Sequence, residues 1–183
     1  NNIKIDKDTA TVNVHETSAA TSTHTEEDVT IFGELNSFSN GSYTLKKIDG
    51  NWLIISENID NDKSFLKYGD ARFVDMDLKS PEKAKAGEYY TAALTVDTPE
   101  DTMVVASIGK DIIKYPQEKP EDVFRKMPQD NILERMFIAN KEGKNEYNIA
   151  SIGMTKSKVY AGQIHLDKHD EAIGNIHVSF RKK

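Results

Sequence analysis

Residues 42–57 read Ser-Tyr-Thr-Leu-Lys-Lys-Ile-Asp-Gly-Asn-Trp-Leu-Ile-Ile-Ser-Glu, and this stretch decides the predicted fold. Two runs of alternating apolar residues flank Asp49-Gly50, a dipeptide that accepts the positive φ values of a tight hairpin turn. In the first run, Tyr43 and Leu45 are predicted to share one face of a strand. In the second run, apolar residues point to both faces, which is typical of a strand inside a sheet.

The residues before this hairpin alternate as well, and they predict further antiparallel strands. Residues 3–14 read as a second hairpin around a polar turn. Residues 16–28 are rich in Thr, Ser and Ala, so they are either a frayed continuation of a strand or a mobile loop. Asn40-Gly41 is predicted to turn the chain. Residues 1–60 are therefore expected to form a four-stranded meander whose two apolar faces need a second layer.

Residues 43–54 resemble the closing hairpin of the nuclear transport factor 2-like superfamily, where a curved sheet ends in a Lys-Lys-x-Asp-Gly-x-Trp turn. The N-terminal domains of some Gram-positive penicillin-binding proteins and several bacterial lipoproteins are similar in this stretch. The resemblance covers about residues 1–58 and implies that helices fill the concave face of the sheet. This chain lacks those helices before its sheet. The covering layer is therefore expected from upstream helices, from the second unit or from another chain.

A second domain is predicted at residues 72–183, after a polar linker at residues 61–71. About seven short alternating runs separated by turn residues are typical of a β-sandwich. Residues 81–90 read Pro-x-x-x-x-Ala-Gly-Glu-x-Tyr and resemble immunoglobulin-like modules of bacterial surface proteins. The core Trp and the Cys pair of antibody domains are absent from this unit.

A helical insertion is predicted at about residues 120–142 of the second domain. Pro120 and Pro128 each suit the first position of a helix, where the missing N–H costs nothing. Apolar residues then recur at the spacing of one helix face, namely Ile132, Leu133, Met136 and Phe137. This stripe is expected to pack on the sandwich, or alternatively to bind a partner. The fold class is thus mainly β (α+β), an antiparallel meander sheet followed by a β-sandwich with one or two helical insertions.

Composition excludes several classes of function. The net charge of −6 argues against nucleic acid as a partner, because phosphate binding needs a basic face. The absence of cysteine excludes disulfides and thiolate catalysis. No apolar run approaches the roughly 20 residues of a membrane span. The chain begins at Asn1-Asn2 without a signal-peptide pattern, so we expect residue 1 to be a processing boundary and the targeting segment to lie upstream.

Metal-binding and catalytic motifs are weak. His165, Asp167 and His169 would share one face of a strand, with His177 on the neighbouring strand, and could ligate zinc or copper. Surface histidines are the preferred interpretation. The sequence from Ser80 to Lys83 matches the Ser-x-x-Lys motif of penicillin-recognising enzymes, but the partner motifs are missing. No catalytic constellation and no cofactor is predicted.

Three functions remain open, and the fold cannot choose among them. The leading hypothesis is a non-catalytic binding or spacer protein of the bacterial cell envelope or the extracellular space, with a protein or the cell wall as partner. The second is a small-molecule-binding protein or an isomerase-like enzyme that uses the concave face of the first sheet. The third is a subunit of a secreted assembly, with the exposed sheet edge recruiting a partner strand. Separately, a homodimer through the first sheet is one expected partner, because a second copy would cover that sheet.

Overall fold

A computed structural model describes residues 2–26, 29–118, 121–160, 163–166 and 172–180, with side chains as far as Lys156 except that of Glu26. The described residues contain no α-helix, and one 3-10 turn spans Gly69–Phe73. None of them forms a helix with the length and apolar character to cross a membrane. The fold is mainly β and its strand pairs are antiparallel, as the sequence predicts.

The described residues form a nine-stranded sheet that begins with a meander. The spatial order is β1-β2-β3-β4-β12-β10-β7-β8, and β11 also pairs with β10. The strands of this sheet are β1 (Asn2–Asp6), β2 (Thr9–Glu26), β3 (Val29–Ile48), β4 (Asn51–Tyr68), β7 (Thr102–Ile112), β8 (Arg125–Lys126), β10 (Glu146–Tyr160), β11 (Gln163–Leu166) and β12 (Ala172–Phe180).

A second sheet has three strands in the order β5-β6-β9. They are β5 (Met76–Lys79), β6 (Tyr89–Val96) and β9 (Ile132–Ile138). The burial of β6 alternates strictly, because one of its faces is directed towards the core and the other towards solvent.

The core lies where this second sheet meets β7 and β10. Its most buried side chains include Leu78 and Leu94 from the small sheet and Ile108 and Ile152 from the large one. Burying a Leu or Ile side chain contributes about 1.5–3 kcal/mol. Phe65 of β4 packs against the edge of the same cluster, so the core extends as far as the near end of the meander.

Most buried polar groups of this core are paired, and the Ser151 hydroxyl is the exception among its four described buried polar side chains. The Glu146 carboxylate is 1% exposed and accepts hydrogen bonds from the Lys110 ammonium and the Asn140 backbone N–H, each at 2.8 Å. Tyr90 donates its hydroxyl to the Asn148 side-chain oxygen at 3.1 Å. Burial and the nearby Glu146 charge raise the pKa of Tyr90 well above its ordinary value. Such pairing is what allows polar groups to lie inside a core.

The predicted turn at Asn40-Gly41 and the predicted linker at residues 61–71 are both wrong. Asn40-Gly41 is not a turn, because β3 continues through it to Ile48 and only a register shift marks the position. Residues 61–68 are not a linker, because β4 runs through them and pairs with β3 on one side and β12 on the other. Residues 61–68 are all half-buried although five of the eight are polar or charged, so the composition of this segment concealed a strand.

The predicted helical insertion at about residues 120–142 is also wrong for the residues described there. Residues 121–124 are irregular, β8 follows, and β9 occupies most of the predicted helix. In β9, Leu133 and Phe137 face the core while Met136 faces solvent. Pairing with β6 from Ile132 to Ile138 satisfies the backbone of β9, so tertiary context outweighs the helical spacing.

Candidate binding surface

The hairpin between β3 and β4 positions the candidate binding surface. Asp49 and Gly50 have φ values of 49° and 85°, and the flanking residues Ile48 and Asn51 are paired. Two consecutive positive φ values define the turn whose twist matches that of the flanking strands. The Asp-Gly hairpin predicted from the sequence is therefore confirmed.

The sheet around this hairpin extends beyond the core. It comprises β1, residues 9–16 of β2, residues 39–48 of β3 and residues 51–62 of β4, and is referred to as the distal sheet. β12 pairs with β4 only at residues 61–67, so the described residues leave most of the distal edge of β4 without a neighbouring strand. β1 is the last strand at the other edge.

The two faces of the distal sheet can be told apart by their relation to the core. Residues opposite one another on paired antiparallel strands point to the same face, and neighbours along a strand point to opposite faces. Lys63 and Lys67 of β4 reach Asp77 and the Val74 carbonyl, so their face is the one beneath the three-stranded sheet. This is the inner face, and the opposite one is the outer face.

The outer face of the distal sheet carries a continuous apolar patch. The register aligns Ile5, Ala10, Leu45 and Ile54 in one row across four strands. Side chains of 38–63% exposure, at Ile3, Ile5, Trp52 and Ile54, surround Ala10, which is itself only 5% exposed. The outer patch is defined as six residues: Ile3, Ile5, Val12, Leu45, Trp52 and Ile54.

Polar residues border the outer patch on both ends. Lys47 lies opposite Trp52 in the row next to the turn. At the other end, Glu16, Ser39 and Asp62 form one row. The Tyr43 hydroxyl, within the patch rows, donates a hydrogen bond of 3.0 Å to the Glu16 carboxylate. This hydrogen bond, with smaller effects from burial and from Glu57, raises the pKa of Tyr43.

The inner face of the distal sheet also exposes apolar side chains, although fewer of them. Leu53 is 49% exposed and shares a row with Lys46 and Thr9. Ile48, in the row next to the turn, is 41% exposed. Leu53 and Ile54 are neighbours in sequence with similar exposure and opposite faces, which makes them a matched pair for experiments.

A close approach of two strands requires the glycine at position 41. Gly41 lies opposite Ile59 beside a register shift, and a Cβ atom placed there would lie 2.2 Å from the Asn58 carbonyl oxygen. The cavity at this place on the outer face has a volume of about 10 Å³. Such a volume barely accommodates one water molecule, so this place offers no room for an organic ligand.

Larger cavities lie elsewhere, near the core. One of about 500 Å³ is lined by Asp75, Asp77 and Asp97 together with Met76, Thr95, Val96 and Asn131. Another, of about 300 Å³, is lined by residues of mixed chemistry, namely Asp70, Phe73, Val74, Pro99, Glu100, Thr102, Met154, Thr155 and Lys156. Among the described residues, no group of three or more His, Cys, Asp or Glu side chains could hold a metal ion.

The described residues do not test the predicted metal site. Asp167 and His169 lie outside the described residues. His165 lies in β11 opposite Lys158 and His177 in β12 opposite Ile149, where only the backbone is described. The metal site therefore stays a prediction.

The Ser-x-x-Lys motif occupies an irregular segment and not a helix. The Ser80 hydroxyl of this motif accepts a hydrogen bond of 3.0 Å from the side chain of the buried Asn148, so it helps to satisfy a polar group of the core. The nucleophile of that motif requires a helix N-terminus, which this segment does not provide.

Comparisons with known proteins return nothing: no family model matches the chain, and no curated protein or solved structure matches it. The resemblance to the nuclear transport factor 2-like superfamily and the immunoglobulin-like resemblance therefore stay predictions. The outer patch was visible in the sequence as alternation in the two arms of the hairpin, but its exposure could not be read from that pattern.

Proposed function

We propose that this chain is a non-catalytic binding protein of the bacterial cell envelope or the extracellular space, and that the distal sheet is its contact surface for another protein. The observation that carries this proposal is the outer patch. Four of its large apolar side chains are 38–63% exposed within one continuous face. Contiguous apolar patches of this kind are rare on monomers and mark interaction sites.

The edges and charges of the distal sheet fit the same proposal. Free strand edges attract further strands, and native proteins guard against unwanted pairing with charged edge residues. β1 carries Lys4 and Asp6 at its exposed edge. The chain's net charge of −6 and this largely apolar surface favour a protein partner over a nucleic acid.

The proposal includes two finer assignments of the fold, a β-sandwich in the second unit and a nuclear transport factor 2-like sheet before it. A β-sandwich in the second unit is supported by the core cluster, to which both sheets contribute side chains. An immunoglobulin-like module there, preceded by a nuclear transport factor 2-like sheet, would make the distal sheet the presenting element and the second unit its support. The small-molecule alternative lacks a cavity of useful size at the described bulge of the first sheet.

Site-specific photocrosslinking tests the proposed function. A photoreactive phenylalanine analogue is placed at position 54, at position 53 or, as control, at the exposed position 82, and the protein is exposed to a bacterial envelope fraction. We expect adducts with one defined protein from position 54 and none from the inner-face position 53 or from position 82. That protein, once purified, should bind the wild-type chain and Leu53→Lys equally well and should bind Ile54→Lys at least about tenfold more weakly.

Two results would contradict the proposed function. One is equal labelling from position 82, which would indicate unspecific contact. The other is unchanged binding of the purified partner by Ile54→Lys, which would place its site away from the outer patch. Circular dichroism of each variant shows whether the fold is retained.

A further inference from the structure

We propose that the outer patch binds a second copy of this chain, with the two distal sheets stacked face to face about a two-fold axis. This inference rests on the proposed function and names the partner of its surface. The supporting observation is the order of residue types on the outer face, from the hairpin turn towards the core. When a second copy lies on this face in the opposite direction, the two orders are complementary. A two-fold interface requires that kind of self-complementarity.

The order can be read row by row from the turn towards the core. Lys47 and Trp52 come first, followed by the row of Leu45 and Ile54. Next comes the row of Tyr43 with Val12, Ile3 and Glu57, and then the row of Gly41 with Val14 and Ile59. Glu16, Ser39 and Asp62 end the series. A cationic end and an acidic end thus flank three rows that are mainly apolar, and the middle one of them also holds Glu57.

Charge selects one of the two symmetric ways to stack these faces. If the axis ran along the strands, each row would meet the same row of the partner with the strand order reversed. The cationic row of Lys47 would then lie on the partner's cationic row, and the row of Glu16 and Asp62 on the partner's acidic row. If the axis runs across the strands through the row of Tyr43, the first row meets the fifth and the second meets the fourth. Lys47 then faces Ser39 of the other copy, between the acidic Glu16 and Asp62. Opposite charges meet twice in this arrangement, so it is the favoured one.

The area of the outer face is sufficient for a specific contact. Four strands about 4.8 Å apart and five rows about 6.8 Å apart give a footprint on the order of 500 Å² per copy. The total, on the order of 1,000 Å², reaches the lower limit for a specific interface. Sheets that pack face to face lie about 10 Å apart, which long apolar side chains such as Ile, Leu and Trp fill.

The proposed axis makes a specific prediction for Glu57. Glu57 lies in the axial row, opposite Tyr43, and therefore approaches Glu57 of the second copy. Two like charges at an axis weaken association. Glu57→Gln should consequently tighten the dimer a few-fold, whereas Lys47→Glu should weaken it a few-fold.

Sedimentation equilibrium over a concentration series tests the proposal with a matched pair of variants. The wild-type chain should form dimers and no larger species. Ile54→Lys places a charge in the contact twice per dimer and should raise the dissociation constant by at least about a hundredfold. Leu53→Lys carries the same new charge on the inner face of the same strand and should leave the dissociation constant unchanged. Thermal unfolding followed by circular dichroism confirms that both variants are folded.

Each other outcome overturns the second-copy proposal. A wild-type chain that stays monomeric at all concentrations refutes it, and so does equal dissociation by the two lysine variants. If the chain is monomeric but position 54 still crosslinks a different protein whose binding Ile54→Lys abolishes, the proposed function stands with another partner. If the chain is monomeric and no adduct forms, both proposals fail.

Discussion

Two strands with apolar faces lie in opposite environments in this molecule. β6 (Tyr89–Val96) has one apolar face, and the first half of β4 (Asn51–Tyr68) carries apolar side chains on both faces. In β6 the side chain of Leu94 is fully buried, whereas Ile54 in β4 is 62% exposed. The difference lies in what faces them, since β6 packs against β7 and β10 while the distal sheet has no second layer among the described residues. Alternation decides which residues share a face, and the neighbouring layer decides whether that face is a core or a contact surface.

The largest expected effect breaks a buried charge pair in the core region. Glu146→Ala removes the acceptor of Lys110 and of the Asn140 N–H, and it leaves the Lys110 charge without this partner. Removing one member of a buried ion pair costs about 3–5 kcal/mol of unfolding free energy. Urea unfolding measures this loss. At protein concentrations low enough to keep the chain monomeric, Glu57→Ala in the distal sheet serves as control and should change the unfolding free energy by less than about 0.5 kcal/mol.

The next prediction compares the same substitution in both regions. Leu94→Ala deletes a fully buried side chain and should cost about 2–5 kcal/mol. Leu53→Ala deletes a half-exposed side chain on the inner face of the distal sheet and should cost less than about 0.5 kcal/mol. Urea unfolding at low protein concentration keeps association out of the comparison. Equal costs for the two variants would mean that the distal sheet is covered as well as the core is.

Smaller effects are expected from the turn of the distal hairpin. Gly50 has a φ of 85° and nothing within 4 Å of an added Cβ, so Gly50→Ala is opposed by backbone conformation alone. Its cost should be about 1–2 kcal/mol, the ordinary penalty for a left-handed non-glycine residue. Gly41→Ala should cost more, because its Cβ would collide with the Asn58 carbonyl oxygen. Thermal unfolding of the two variants gives the ranking, and the reverse ranking would contradict the described bulge.

The smallest prediction concerns a titration on the outer face. The Tyr43 phenol donates to Glu16, and this hydrogen bond is lost when the phenol ionises. The raised pKa of Tyr43 therefore means that its stabilising contribution is complete below the ordinary pKa of about 10 and disappears as pH rises through the raised value. Carbon-13 NMR of labelled tyrosine should show the Tyr43 pKa falling in Glu16→Gln. An unchanged pKa would mean that Glu16 is not its main cause.

Much of the β structure could be predicted, because turn chemistry and alternation are local signals. The Asp49-Gly50 turn and the mainly β antiparallel class are confirmed, and residues 16–26 continue a strand, which was one of the two alternatives. The turn at Asn40-Gly41 was wrong because the same dipeptide also suits a bulge, where close strand approach and not positive φ requires the glycine.

The remaining errors arose where long-range pairing overrode local pattern. The spacing of apolar residues from Ile132 to Phe137 predicted a helix. The segment forms a strand because it pairs with β6, and this long-range pairing cannot be predicted from the local spacing. The polar composition of residues 61–68 likewise hid their pairing with β12, more than one hundred residues away in the sequence. For the outer patch, the sequence pattern was enough to assign residues to one face of the sheet. Its exposure could not be predicted, because it depends on strands distant in sequence, such as β12, whose described residues do not extend over the distal sheet.

The most direct test of the second-copy surface uses the single tryptophan of the chain. Trp52 belongs to the outer patch and is 38% exposed, so its fluorescence reports whether that face is in contact with water. We predict that its emission shifts to shorter wavelength as protein concentration rises, equally in the wild type and Leu53→Lys, and that Ile54→Lys shows no shift. A wild-type emission spectrum that stays the same at every concentration would contradict the account.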